Sequence, residues 1–189
     1  MNERLLATAP EGELVEAAQR GDLAAFEALA RRNEDRAYNV ARRLLGHPED
    51  AEDATQEALV RAFRGLRKFS GRAQFGTWLI RIVINVCRTH RCRRSRLPQA
   101  WEPELAERPG PAQDPLEPAL RENATEAVHS ALAELPQKYR EVLVLYELEE
   151  MSYEEISVVL RRPVGTVRSR LNRARLALRD KLVGKMDLE

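Results

Sequence analysis

The sequence predicts an all-α protein built of two small helical domains joined by a Pro-rich acidic linker. Three observations point there. Apolar residues recur at three- and four-residue spacing through most of the chain, the spacing that makes one buried stripe on a helix. Aromatic residues are only 5% and charged residues 32% of the sequence, a balance poor in strand formers. Between Pro98 and Glu122 stand six of the ten prolines and six acidic residues but only two arginines, so this segment cannot bury enough apolar surface to fold alone. The expected division is therefore a domain at 12–96, a flexible linker at 97–123 and a second domain at 124–182 of the 189 residues.

Net charge narrows the partners. With 31 basic and 30 acidic residues the formal charge is +1, so attraction to nucleic acid has to come from local patches. Only Lys68, Lys138, Lys181 and Lys185 among the basic residues are lysine. Arginine suits bidentate binding of phosphates and bases, although genomic base composition produces the same bias. No apolar run approaches about 20 residues and no signal-peptide pattern is present, so a cytoplasmic protein without membrane insertion is expected. Cys87 and Cys92 lie about 140° apart around a helix, which argues against a disulfide. His90 sits between them without a fourth ligand nearby, so neither a metal nor any other cofactor is expected.

Taken in order, Leu14, Val15 and Ala18 give a short helix over 13–20, ended by Gly21. Asp22 is the expected cap of a long helix over 23–45 carrying Phe26, Leu29, Tyr38, Val40, Ala41, Leu44 and Leu45, and Gly46-His47-Pro48 breaks it. A third helix over 49–66 starts with Glu49, Asp50, Glu52, Asp53 and Glu57. Carboxylates at a helix start complement its macrodipole. Five within nine positions exceed that need and, with Gln56, form a patch suited to a basic protein partner.

Residues 67–77, RKFSGRAQFGT, read as a loop feeding a helix over 78–94. Ile80, Ile82, Val83, Ile84 and Val86 alone would permit a strand, but Trp78, Ile82 or Val83, and Val86 form one apolar side while Arg81, Asn85 and Arg88 fall largely on another. Aromatics beside arginines and an amide suit single-stranded DNA, through base stacking and backbone attraction. Trp78 serves equally well as core. The five arginines from Arg88 to Arg96 are either a phosphate site or the solvated end of the helix.

After the linker come a helix from Ala124 through Val128, Leu132 and Leu135, and another opened by Pro136 with Tyr139, Val142, Leu143 and Leu145 or Tyr146 at helical spacing. Next stands MSYEEISVVLRRPVGTVRSRLNRAR, residues 151–175. Ser152 and Glu155 form an S-x-x-E capping box, Ile156, Val159 and Leu160 make a one-sided stripe, and Arg161-Arg162-Pro163 stops the helix. A second helix follows from about Gly165 to Lys181, with Val167, Leu171 and Ala174 or Leu178 inward. Arg168, Ser169, Asn172 and Arg173 face the other way. That is a helix-turn-helix with a basic rod as its second helix, the element that enters a major groove.

Taken together the chain resembles bacterial alternative sigma factors of the extracytoplasmic-function group over nearly its whole length. DAEDATQEALVRAF (50–63) is similar to the part of that family's region 2 that binds the β′ clamp helices of RNA polymerase. FSGRAQFGTWLIRIVINVCR (69–88) is similar to its −10 recognition and melting segment, and residues 135–182 resemble its region 4, with PVGTVRSRLNRAR the most specific stretch. The resemblance implies a dissociable initiation subunit, not an enzyme, with core RNA polymerase (β′ clamp helices and β flap), promoter DNA and an anti-sigma factor as partners. It implies −35 readers at Arg168, Ser169, Asn172 and Arg173, with Thr166, Arg170 and Arg175 on phosphates. In the first domain it implies Asn85 as the contact to a flipped −10 base, with Phe69, Ser70, Gly71, Phe75, Trp78 and Arg88 around it, and polymerase docking through Asp50, Asp53, Gln56 and Glu57. The sequence departs from the family pattern at Thr89, Arg91, Asn33 and Ser157. A stand-alone helix-turn-helix repressor or activator is the competing reading, but it needs a dimer seam that the sequence lacks and leaves the acidic patch without a use.

Overall fold

A computed structural model describes residues 8–94, 128 and 130–186. The linker expected at 97–123 and the helix start expected at Ala124 lie outside the described residues. The elements are α1 (Glu11–Gln19), α2 (Leu23–Leu45), α3 (Pro48–Gly65) running into a 3₁₀ turn at Leu66–Lys68, and α4 (Phe75–Arg94). A helical stretch at 130–134 precedes α5 (Gln137–Leu143), which widens into a π-type turn over Val144–Leu148, then α6 (Tyr153–Leu160) and α7 (Val164–Met186).

The boundaries follow local chemistry. Asp22 accepts a hydrogen bond from the Ala25 amide at the start of α2, satisfying one of the orphan N–H groups of the first turn. Gly46 ends that helix at φ +88, a conformation that a side chain would strain. Pro48 then opens α3, where its missing N–H costs nothing.

Helices α2, α3 and α4 pack around one core. Ala51, Ala54, Ala58 and Ala62 make a small-residue stripe along α3, and Leu29, Val40, Ala41, Leu79, Ile80, Val83 and Ile84 fill the space against it. Each large side chain so buried contributes on the order of 1.5–3 kcal/mol of transfer free energy. The strand alternative for 78–94 gives way to a helix that begins three residues earlier, at Phe75. Its start is held from a distance: the Phe75 amide donates to the Glu11 carboxylate of α1 at 2.8 Å. On α4 Val83 and Val86 are buried, and Trp78 and Ile82 pack half-buried at the margin of the line through Leu79, Ile80, Val83, Ile84, Val86 and Cys87. One expectation needs correction. The last helix does not end near Lys181 but continues to Met186.

In the second group, Val142, Leu143 and Leu145 pack against Ile156, Val159 and Leu160 of α6 and Val167, Leu171 and Ala174 of α7. The two groups are in contact through charge as well as apolar surface. Arg140 is 1% exposed. Its guanidinium donates to the carbonyls of Leu44 (2.7 Å) at the end of α2, of Leu135 (3.1 Å) and of Ala133, leaving Nε without a partner. Burial, helped by the nearby charge of Arg91, pushes its pKa down to about 10. Arg36 of α2 meets Glu149 at 2.5 Å.

Candidate nucleic-acid and polymerase interfaces

The helix-turn-helix is closed by local bonds. The Ser152 side chain accepts from the Glu155 amide at 3.2 Å and the Glu155 carboxylate accepts from the Ser152 amide at 2.9 Å, so the capping box is complete. Those bonds from Ser152 hold the Glu155 carboxyl below its ordinary pKa. Leu160 ends α6 because Arg161 turns left-handed at φ +52, and the Ser157 hydroxyl donates to the Arg162 carbonyl at 2.6 Å across the turn. Ser157, where the family pattern has Ala, thus ties the turn together. On α7, Val167, Leu171 and Ala174 are buried while Arg168, Ser169, Asn172, Arg173 and Arg175 are exposed. Thr166 and Arg170 are half-buried on the opposite flank. The structure therefore places all seven expected −35 residues on one helix, with Arg168, Ser169, Asn172, Arg173 and Arg175 open to solvent.

The first domain is arranged differently. Asn85 is exposed on α4, two turns from Trp78 and so on the same face about 10 Å away along the axis. Phe69 and Trp78 lie ring to ring at 4.8 Å, and Phe75, fully buried, supports both at 6.3 and 5.7 Å. Phe75 therefore backs the aromatic pair from within the core, while Ser70 and Gly71 stay exposed in the loop, Gly71 at φ +67. The Gln19 side-chain amide holds this loop from α1, donating to the Leu66 carbonyl at 3.0 Å and the Phe69 carbonyl at 2.8 Å. Arg88 is engaged: its Nε and Nη2 donate to the two Glu141 oxygens at 2.8 and 2.7 Å, and Nη1 reaches Asn85 Oδ1 at 3.3 Å. Glu141, on the second domain, is 3% exposed.

The acidic patch on α3 divides in two. Asp53 and Gln56, with Glu52, line an open groove of about 460 Å³ closed on its other side by Glu34, Asp35 and Tyr38 of α2. Asp50 and Glu57 are instead answered within the chain, Asp50 by Arg94 at 2.9 Å and Glu57 by His90 at 2.9 Å and Arg61 at 2.5 Å. The His90 hydrogen bond is the main cause that lowers the Glu57 pKa. A lowered carboxylate pKa adds stability that is present above the unfolded value of 4.5 and disappears as pH falls through the folded one, so the Glu57–His90 pairing resists mild acid and is lost only below that range. Glu34 and Asp35 were not legible as site residues, because only the pairing of α2 with α3 makes them groove walls.

These features define a two-domain helix-turn-helix protein with an exposed basic face on its last helix and a separate acidic groove. Comparison with known proteins makes the class specific. A model described as "Sigma-70 region 2" matches residues 29–97, and one described as "Sigma-70, region 4" matches residues 125–178. The chain is 37% identical to the RNA polymerase sigma-H factor of Pseudomonas aeruginosa, over 92% of this chain and 94% of that protein. It is 36% identical to the ECF RNA polymerase sigma-E factor of Escherichia coli, over 89% of this chain and 92% of that protein. The solved structure of CnrH in complex with the cytosolic domain of CnrY superposes with a TM-score of 0.67 at 28% identity, covering 95% of this chain and 98% of that one. The sigma factor RpoE from Bartonella quintana, solved with the anti-sigma factor NepR, shares the fold at a TM-score of 0.66 and 23% identity, covering 83% of this chain and 96% of that one. The chain belongs to the extracytoplasmic-function group of RNA polymerase sigma factors. Its work is transcription initiation with core RNA polymerase at promoters, and the reading as a stand-alone repressor finds no support.

Proposed function

We propose a division of labour within this sigma factor: residues 12–96 act as region 2, docking on core polymerase and capturing the −10 element, and residues 124–182 act as region 4, reading the −35 duplex. The observation that carries it is that the exposed face of α7 and the acidic groove between α2 and α3 sit on different domains of one chain. A groove walled by Glu34, Asp35, Glu52 and Asp53 fits a basic surface of the polymerase. Asn85, on the same face of α4 as Trp78 and two turns along from it, fits an unstacked base, and capturing extruded bases offsets the few kcal/mol that flipping each one costs. The chain works by binding alone and breaks no bonds. Its cytoplasmic location follows from its polymerase partner, in keeping with the finding that no helix among the described residues is long and apolar enough to cross a membrane. The relatives crystallised with CnrY and NepR support an anti-sigma partner for this chain as well.

The working arrangement on a promoter is more extended than the packed one in this reading. Promoter positions −10 and −35 are about 25 base pairs apart, about 85 Å of duplex. A body packed from the described residues, 8–94, 128 and 130–186, has a radius of gyration of only about 15 Å. The two domains therefore have to separate to reach both elements, and separation also releases Arg88 from Glu141. The isolated chain should accordingly bind promoter weakly. Comparing promoter affinity of the chain alone and with core polymerase tests this, and nanomolar affinity without polymerase would contradict it.

A further inference from the structure

The cations of α7 stand in two settings. At about 100° per residue, Ser169, Asn172 and Arg173 lie opposite the buried line of Val167, Leu171 and Ala174. Arg168 and Arg175, seven residues and two turns apart, lie instead on the flank that faces α6 and the π-type turn. Both rest on aromatic rings there. The guanidinium carbon of Arg168 is 5.5 Å from the Tyr153 ring centre, and that of Arg175 is 5.1 Å from the Tyr146 ring centre. The two tyrosines stack on each other with centres 5.2 Å apart and planes within 17°. Three elements thus contribute a ladder of four layers, Arg168, Tyr153, Tyr146 and Arg175. Glu147 braces its far end, accepting from Arg175 Nε at 2.7 Å and Nη2 at 2.6 Å.

We propose that this ladder is a phosphate-binding shelf: Arg168 and Arg175 grip the DNA backbone beside the −35 groove and set how α7 enters it, while Ser169, Asn172 and Arg173 read bases. The proposal rests on α7 being the −35 reader and moves Arg168 from base reading to positioning. Helix-turn-helix docking carries the first helix across the backbone, so the flank of α7 next to α6 is the side that meets phosphate. A guanidinium lying over a ring face keeps its N–H edge outward and has less freedom left to lose when an anion arrives. Glu147 already answers Arg175 and leaves Arg168 the larger share of the phosphate contact.

The test uses holoenzyme reconstituted with core polymerase, a promoter library varied across the −35 element, and a salt series. Arg168→Ala should weaken every −35 variant by the same factor, keep their rank order, and reduce the slope of log affinity against log salt by about 0.9, the loss of one phosphate contact. Tyr153→Leu should show the same pattern at about two- to fivefold. Tyr153→Phe, which keeps the ring, should stay within about twofold of the parent. Tyr153→Leu should add nothing in the Arg168→Ala background, since it acts through that arginine. A thermal melt of each variant accompanies the series; the surface change Arg168→Ala leaves the fold intact and decides the matter even where Tyr153→Leu does not fold. A changed base preference in Arg168→Ala overturns the shelf, as does a Phe variant as weak as the Leu variant, or a Tyr153→Leu loss that persists without Arg168. Arg173→Ala separates the two levels. If it shifts −35 preference while Arg168→Ala leaves the salt slope unchanged, only the shelf fails; if neither affects −35 binding, the reading of α7 itself fails.

Discussion

The two helices proposed to face DNA, α7 and α4, carry their cations in opposite ways. On α7 the reading face is assembled from its own hairpin: a capping box, a left-handed stop and a tyrosine stack all lie within 30 residues, and Arg173 and Asn172 point to solvent. On α4 the corresponding arginine is held across the domain boundary, with Arg88 clasped by Glu141. On the roles proposed above, the −35 face is complete in the packed chain, whereas the −10 site needs a change of domain arrangement to free Arg88. It also fits a polar junction. Buried ion pairs repay little more than their desolvation, so a contact built on Arg140, Glu141 and Glu149 separates at less cost than an apolar one of equal area.

The largest effect should come from removing a proposed base reader of α7. Arg173→Ala in the holoenzyme should cost about 1–3 kcal/mol at the −35 site and relax base preference there, read by competition between promoter variants. Next comes docking. Glu34→Lys with Asp53→Lys should weaken affinity for core polymerase, most at low salt, and leave −35 preference unchanged, because groove and reading face are on separate domains. Glu57→Ala should do less to docking, since Glu57 is occupied by His90 and Arg61. Equal loss of docking and −35 recognition from the groove variant would break the two-site assignment.

How far these surfaces can be read from sequence differs for the same reason. The start of α6 was legible because Ser152 and Glu155 are three residues apart and their bonds are local. Asp22 and Gly46 bracketed α2 likewise. What escaped depends on distant partners: Glu11 capping α4 from 64 positions away, Gln19 holding the loop at Phe69, and Glu34 and Asp35 walling the groove. Arg140 and Glu141 are the sharpest case. Two adjacent charged residues near a helix start normally face solvent, and nothing within reach in the sequence signals that α2 and α4 will cover them. Trp78 could serve as core or as surface from sequence alone, because a run of β-branched residues leaves the apolar face too broad to orient, and it packs half-buried at the core's margin.

Smaller effects probe the junction and the hairpin. Glu141→Gln with Glu149→Gln removes two buried charges and lets Arg88 and Arg36 rehydrate. The isolated chain should then scatter X-rays as a larger particle and bind a single-stranded −10 oligonucleotide more tightly. An unchanged radius would mean that these pairs do not hold the domains together. Ser152→Ala should lower stability by about 1 kcal/mol through loss of the capping box, seen as a lower melting temperature, with no change in −10 binding.

Run-off transcription with core polymerase on a promoter library, with and without this chain, tests the central claim most directly. Transcripts should arise only when the chain is present, from a narrow set of promoters defined by both −35 and −10 sequences, and Asn85→Ala should abolish the −10 preference while keeping the −35 preference. Chain-independent transcription, or selection by −35 sequence alone in the parent protein, would contradict the account.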